Sequence, residues 1–183
     1  KTHQNKFSES ITLNPNIWQN EGGFKKVLSH FYNQSSYLIE RKIKRENDNF
    51  DLNPFSTKNK DLLGLNTSFR NSLFYNRGKQ KHSVSYSFIY NQIKSLQSSG
   101  EQEAKNTSHE LQYIHLVKKY WLFTLSDKMF RSIVNSENYF ARNFKINGNQ
   151  FEPKVSYLFN KNASLDVFYE YKSKENIIGD KEV

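Results

Sequence analysis

Two consecutive segments of this chain alternate apolar and polar residues for longer than most soluble strands last. Residues 61–77 carry Leu63, Leu65, Phe69, Leu73 and Tyr75 on one parity and Asn66, Ser68, Arg70 and Ser72 on the other. After a short break, Val84, Tyr86, Phe88 and Tyr90 alternate with Ser83, Ser85 and Ser87. Successive side chains of a strand point to opposite faces, so this period of two describes a sheet with one apolar and one polar side. Soluble strands average about 5–6 residues, whereas a tilted strand needs about 9–11 to cross a bilayer. The leading expectation is therefore an all-β fold, an antiparallel up-and-down meander of about 7–8 long strands forming an outer-membrane β-barrel or part of one.

Composition is compatible with that expectation. Mean hydropathy is −0.85 and only 36% of residues are hydrophobic, with no run near the roughly 18 apolar residues of a spanning helix. Helical membrane proteins are thereby excluded, but a barrel gives every second strand residue to a polar lumen. Aromatic residues make up 15% of the chain, chiefly Tyr 11 and Phe 15. Many fall toward predicted strand ends, among them Tyr75, Tyr90, Trp121, Phe159, Tyr169 and Tyr171, as in the interfacial girdles of barrels; aromatic residues are also good strand formers in any sheet. With no cysteine, disulfides and thiolate metal sites are impossible. The net charge of +9 is scattered, with local clusters at Lys25-Lys26, Arg41 to Arg45 and Lys79 to Lys81. Without a single basic stripe, a nucleic-acid partner is not expected.

Along the chain, strands are predicted at 7–13, over 25–45 as two strands or one with a bulge, and at 61–77, 82–96, 109–118, 121–132, 149–159 and 164–174. Asn14-Pro15-Asn16 and Gly22-Gly23 mark turns, as do Gly78 and Asn160-Lys161-Asn162-Ala163. Polar connections are expected at 46–60, which holds Asn47-Asp48-Asn49, and at 97–108 and 133–148, the last with Tyr139 to Ile146 open to a partly extended form. Short and long connections then alternate, as they do in single-chain barrels. Pro153 predicts an edge, a later start or a bulge in its strand. No capped helix stands out.

Phe69-Arg-Asn-Ser-Leu-Phe-Tyr-Asn-Arg77, followed by a short basic turn, Tyr86-Ser-Phe88 and Asn91-Gln-Ile-Lys-Ser-Leu96, resembles the C-terminal barrel-like region of large outer-membrane proteins of the Bacteroidota. Asp51-Leu-Asn-Pro-Phe55 and His109-Glu-Leu-Gln-Tyr113 are similar as well, so the likeness spans about residues 35–175. It implies a β-rich fold in the outer membrane and brings no catalytic or cofactor residues. The ending Asn176-Ile-Ile-Gly-Asp-Lys-Glu-Val183 lacks the terminal aromatic strand of such barrels, so residues 1–183 are expected to be a single β domain, a fragment of a larger outer-membrane protein.

Catalytic and metal chemistry find little support. His3, His30, His82, His109 and His115 are scattered, and His109 and His115 on one strand lie about 20 Å apart. Asp166 and Glu170 share parity at roughly 13–14 Å, beyond either glycosidase carboxylate separation. They are read as structural carboxylates with Lys172, Lys154 or Arg70 as partners. There is no phosphate-binding glycine loop or nucleophile elbow. No cofactor is expected and the chain is not expected to be an enzyme. The four Asn-x-Ser matches at Asn33, Asn66, Asn106 and Asn162 are read as coincidences of composition, and Trp121 as an interfacial anchor.

The resulting assignment puts Leu65, Phe69, Leu73, Val84, Tyr86, Phe88, Val155, Tyr157 and Val167 toward lipid and Arg70, Lys154, Asp166, Glu170 and Lys172 toward a lumen. The role would be passage, assembly or scaffolding, with outer-membrane lipid or lipopolysaccharide and other envelope proteins as partners. The alternative is a soluble β-sandwich whose loops bind a glycan or a protein.

Overall fold

A computed structural model describes residues 2–20, 22–44, 54–55, 62–77, 79, 81–97, 100–137, 143–160 and 163–178. All described strands belong to one antiparallel sheet in simple meander order. They are β1 (Thr2–Leu13), β2 (Phe31–Lys44), β3 (Leu62–Tyr75), β4 (His82–Gln97), β5 (Gly100–Val117), β6 (Trp121–Ser136), β7 (Phe144–Asn160), β8 (Ala163–Phe168) and β9 (Tyr171–Ile178). Both β8 and β9 pair with β7, so they form one outer strand broken at Tyr169-Glu170. The sheet is not closed, since β1 and the β8–β9 strand each have a neighbour on one side only.

Pro153 explains the break. It lies mid-way along β7, an interior strand, and pairs with Leu125 of β6. On its other side the Pro153 carbonyl accepts the Tyr169 N–H at 3.1 Å. The reciprocal bond needs a Pro153 N–H, which does not exist. The proline therefore marks neither an edge nor a late start nor a bulge of its own strand; its neighbour absorbs the loss.

Three further expectations are corrected. Residues 100–108 are not part of a long loop: they open β5, whose Gly100 pairs with Gln97 of β4. Alternation of short and long connections consequently fails, because this link is shorter than the 118–120 turn at the opposite end. Residues 101–108 are polar on both faces, so their pairing leaves no hydrophobic period to read. The same holds in part for 133–148, where β6 continues to Ser136 and β7 begins at Phe144. Finally, residues 25–28 belong to a short helix, α1 (Gly23–Leu28), which follows a 3-10 turn at Pro15–Trp18. Gly23, at φ +63°, makes the bend into it. The Asn47-Asp48-Asn49 stretch, Gly78 and Lys161-Asn162 lie outside the described residues.

The sheet has no conventional core. Its surface is 13084 Å², roughly 40% above the about 9,200 Å² of a compact monomer of 21.7 kDa. Ile39 is the single buried hydrophobic residue among those described, whereas Ser72 and Ser156 are buried within the sheet. Among the described residues the strands form one layer, with no second sheet on either face.

Candidate functional site

Register decides which side chains share a face. The rows Tyr37, Phe69, Tyr90, Thr107, Arg131 and His82, His115, Phe123, Val155, Val167 run across neighbouring strands on the same side. Propagated through the sheet, these pairings put Leu65, Phe69, Leu73, Val84, Tyr86, Phe88, Val155, Tyr157 and Val167 on one face. They put Arg70, Lys154, Asp166 and Lys172 on the other, where Glu170 joins them through Gln150 and Lys172.

The first face is apolar and aromatic. Leu73, Tyr86, Leu111, Trp121, Phe123, Met129, Phe151, Leu165, Val167 and Tyr171 are all exposed on it, a patch far larger than soluble monomers ordinarily leave uncovered. Two lines of aromatic rings bound it. One follows the end carrying the 118–120 turn, through Phe31, Tyr75, His82, Tyr113, Trp121 and Tyr157; successive rings touch in most of these steps, at 4.8 to 5.8 Å for Phe31–Tyr75, Tyr75–His82, His82–Tyr113 and Trp121–Tyr157. The other runs through Phe7, Tyr37, Phe69, Phe88 and His109 to Phe151 and Tyr171. Phe55, from the β2–β3 connection, packs on Phe7 at 5.2 Å and on Tyr37, covering that corner.

The apolar band crosses the strands obliquely. The row of Phe7 and Ile39 reaches Lys105 and Lys145 by β5 and β7, while the row of Tyr157 and Leu165 is the one that holds Val117 and Trp121. From β1 to β8 the band therefore moves toward the 118–120 turn by about one residue per strand. With about 3.4 Å per residue and about 4.8 Å between strands, that is an inclination of roughly 35°.

Basic charge respects the same boundary. Between the two aromatic lines the apolar face carries no Lys or Arg and two carboxylates, Glu9 beside Tyr37 and Asp127 between Leu111 and Phe151, whereas the opposite face carries Arg70, Lys128 and Lys154 at the same depth and Lys172 just beyond it. These pair: Lys128 Nζ with Glu110 at 2.7 Å, Lys154 with Asp166 at 2.7 Å, and Lys172 with Glu170 at 2.7 Å. Arg70, on β3, stands four strands from β7 and is not brought to the carboxylates of Asp166 and Glu170. The polar face also holds hydroxyl ladders, as between Ser72 and Ser87 at 2.9 Å, and a depression of about 360 Å³ lined by Ser85, Ser87, Glu110, Gln112, Lys128 and Glu152.

Besides the carboxylates of Glu9 and Asp127, a polar island interrupts the apolar face. Asn71 Nδ2 donates to Ser35 Oγ at 2.7 Å, and Asn33 lies 3.4 Å from Asn71, so these groups largely satisfy one another. Sequence reasoning also missed the Glu110–Lys128 pair and the opposed His82 and His115, rings 5.6 Å apart, because both join residues of neighbouring strands whose register is not visible in one strand's spacing. No group of three or more His, Cys, Asp or Glu side chains able to hold a metal occurs among the described residues.

These features define a class, a single-layer antiparallel sheet with one largely apolar, aromatic face and one face that carries the ion pairs and hydroxyls. No family model, characterised protein or solved structure matches the chain.

Proposed function

We propose that this chain is wall of an outer-membrane β-barrel, non-catalytic, with a passage, assembly or scaffolding role. The observation that carries the reading is the segregation of basic charge: between the aromatic lines Arg70, Lys128 and Lys154 sit on one face and no Lys or Arg on the other, whose charged side chains there are the carboxylates Glu9 and Asp127. Burial in protein would not require so strict a boundary, because a half-exposed core margin tolerates snorkelling lysines, whereas lipid-facing Lys or Arg at mid-bilayer costs about 2–4 kcal/mol.

Dimensions support the same reading. The strands β2 to β7, of 14 to 18 residues, exceed the about 9–11 a bilayer requires. Tyr75 to Phe69 and Tyr157 to Phe151 each span six residues, about 20 Å along the strand and about 17 Å in height at the inclination of the band, against roughly 25 Å for the apolar band of such barrels. The inclination of roughly 35° lies at the lower bound of their strand tilt. Its hand also fits. Viewed from the apolar face with β7 ascending, β8 lies to the right, because an L-residue pointing at the observer, here Pro153, turns its carbonyl rightward toward Tyr169. The band climbs to the right, so levelling it leans the strands to the right, as right-handed strand twist does in a barrel wall seen from outside.

The alternative of a two-layer sandwich would need a second sheet on the apolar face, and all described strands belong to one sheet. The decisive experiment is flotation with liposomes followed by carbonate and urea washing, comparing Phe88→Arg with Ser87→Arg. Retention of the wild type, loss for Phe88→Arg and little change for Ser87→Arg is the expected result. Release of the wild type into the soluble fraction would overturn the membrane reading.

A further inference from the structure

We infer that a pocket between the 14–30 segment and the end of β3 binds a phosphate group. It is a cavity of about 300 Å³ at the end of the sheet that carries the 118–120 turn, lined by His30, Tyr32, Asn76, Arg77, Lys79 and the amides of Asn14, Asn16 and Gln19. Among the described residues the lining contains an arginine, a lysine, an imidazole and several amide donors, and no carboxylate. Cavities of this size accept a small ligand, and this set of groups favours an oxyanion.

Local structure holds the cations in place. Asn76, in the left-handed conformation at φ 53°, turns the chain out of β3, its N–H donating to the His30 carbonyl at 2.8 Å. That bond ties the two walls together. The Lys79 N–H returns to the Asn76 carbonyl at 3.0 Å, closing the turn. The Arg77 guanidinium lies 4.2 Å above the Tyr32 ring and 5.2 Å from Phe74. Stacking on both rings fixes the plane of the fork while leaving its edge N–H groups available, the arrangement that suits bidentate contact with phosphate. The Asn76 side-chain oxygen is buried without a hydrogen-bond partner, so a half-turn of the amide, which presents its NH₂ group instead, loses no bond. Phosphate is favoured over a carboxylate because the lining offers donors from several directions, matching a tetrahedral rather than a planar acceptor.

The phosphate could be carried by a soluble molecule or by a lipid headgroup, and the test separates these. The full chain in detergent is titrated with inorganic phosphate by calorimetry, and floated with vesicles of phosphatidylcholine with or without phosphatidic acid. Saturable phosphate binding is expected, weakened about ten-fold or more in Arg77→Met, as loss of a charge-assisted hydrogen bond implies, and less in Arg77→Lys. Lys119→Met, a cation on another turn, should change it less than two-fold. A soluble source predicts competition by inorganic phosphate and no effect of phosphatidic acid; a lipid source predicts Arg77-dependent recruitment by phosphatidic acid. Absence of saturable phosphate binding in the wild type, or equal binding by Arg77→Lys, Arg77→Met and wild type, would overturn the inference. Neither result bears on membrane insertion, which flotation reads separately.

Discussion

Gly148 shows how a single residue fixes register here. It pairs with Phe130, whose ring lies over the glycine on the polar face, in the space a methyl group would occupy. An aromatic ring covering a glycine in this way shields its backbone and pins the two strands together. Gly148→Ala should displace the ring at a cost of about 1–3 kcal/mol, read as a lower urea midpoint, and adding Phe130→Ala should recover part of the loss. Glu103 makes a second prediction on the polar extension of β5, beyond the aromatic lines. Burial pushes its pKa up, but hydrogen bonds from Gln92, Lys105 and Lys94 and the Lys94 charge outweigh burial and hold it below the ordinary carboxylate range. A depressed folded-state pKa means that the unfolded chain takes up the proton first. The stabilisation is complete above the unfolded value near about 4.3 and disappears as pH falls through the folded one. Glu103→Gln should therefore lower stability at pH 7 by about 0.5–1 kcal/mol, and in urea titrations the gap between the two proteins should narrow as pH falls below the unfolded value.

At the level of elements, Pro153 offers the most direct intervention. Pro153→Val would supply the missing donor to the Tyr169 carbonyl and join β8 to β9, so amide exchange at residues 169–171 should slow while residues 121–125 on β6 remain unchanged. Faster exchange in the outer strand would mean that the break has another cause. The strands legible in sequence were those with an apolar parity, and β3 and β4 lie almost where residues 61–77 and 82–96 placed them. Both faces were also legible, because parity alone sorted Phe69 from Arg70 and Val155 from Lys154. Where both parities are polar the signal vanished: Glu101 to Ser108 pair with β4 through Lys94, Gln92 and their neighbours, and such pairs exist only once the register is known. Short local geometry was likewise hidden. The Gly22-Gly23 turn was visible, but the six-residue helix after it has too few positions to display a period.

For the whole molecule, the relevant quantity is uncovered apolar area. A layer with one buried hydrophobic residue among those described lacks the interior from which a water-soluble domain draws its stability. In plain buffer the chain should self-associate, and in detergent micelles it should become monodisperse while keeping β-type circular dichroism; ultracentrifugation in the two media checks this. A stable monomer in buffer without amphiphile would show that something other than lipid covers the face. The meander carries one more consequence. With β1 and the outer β8–β9 strand running in opposite directions, strands inserted between the two edges can complete an uninterrupted antiparallel ring only in even numbers: none, two, four and upward. Any closed wall that incorporates this sheet must obey that parity rule, whatever its circumference.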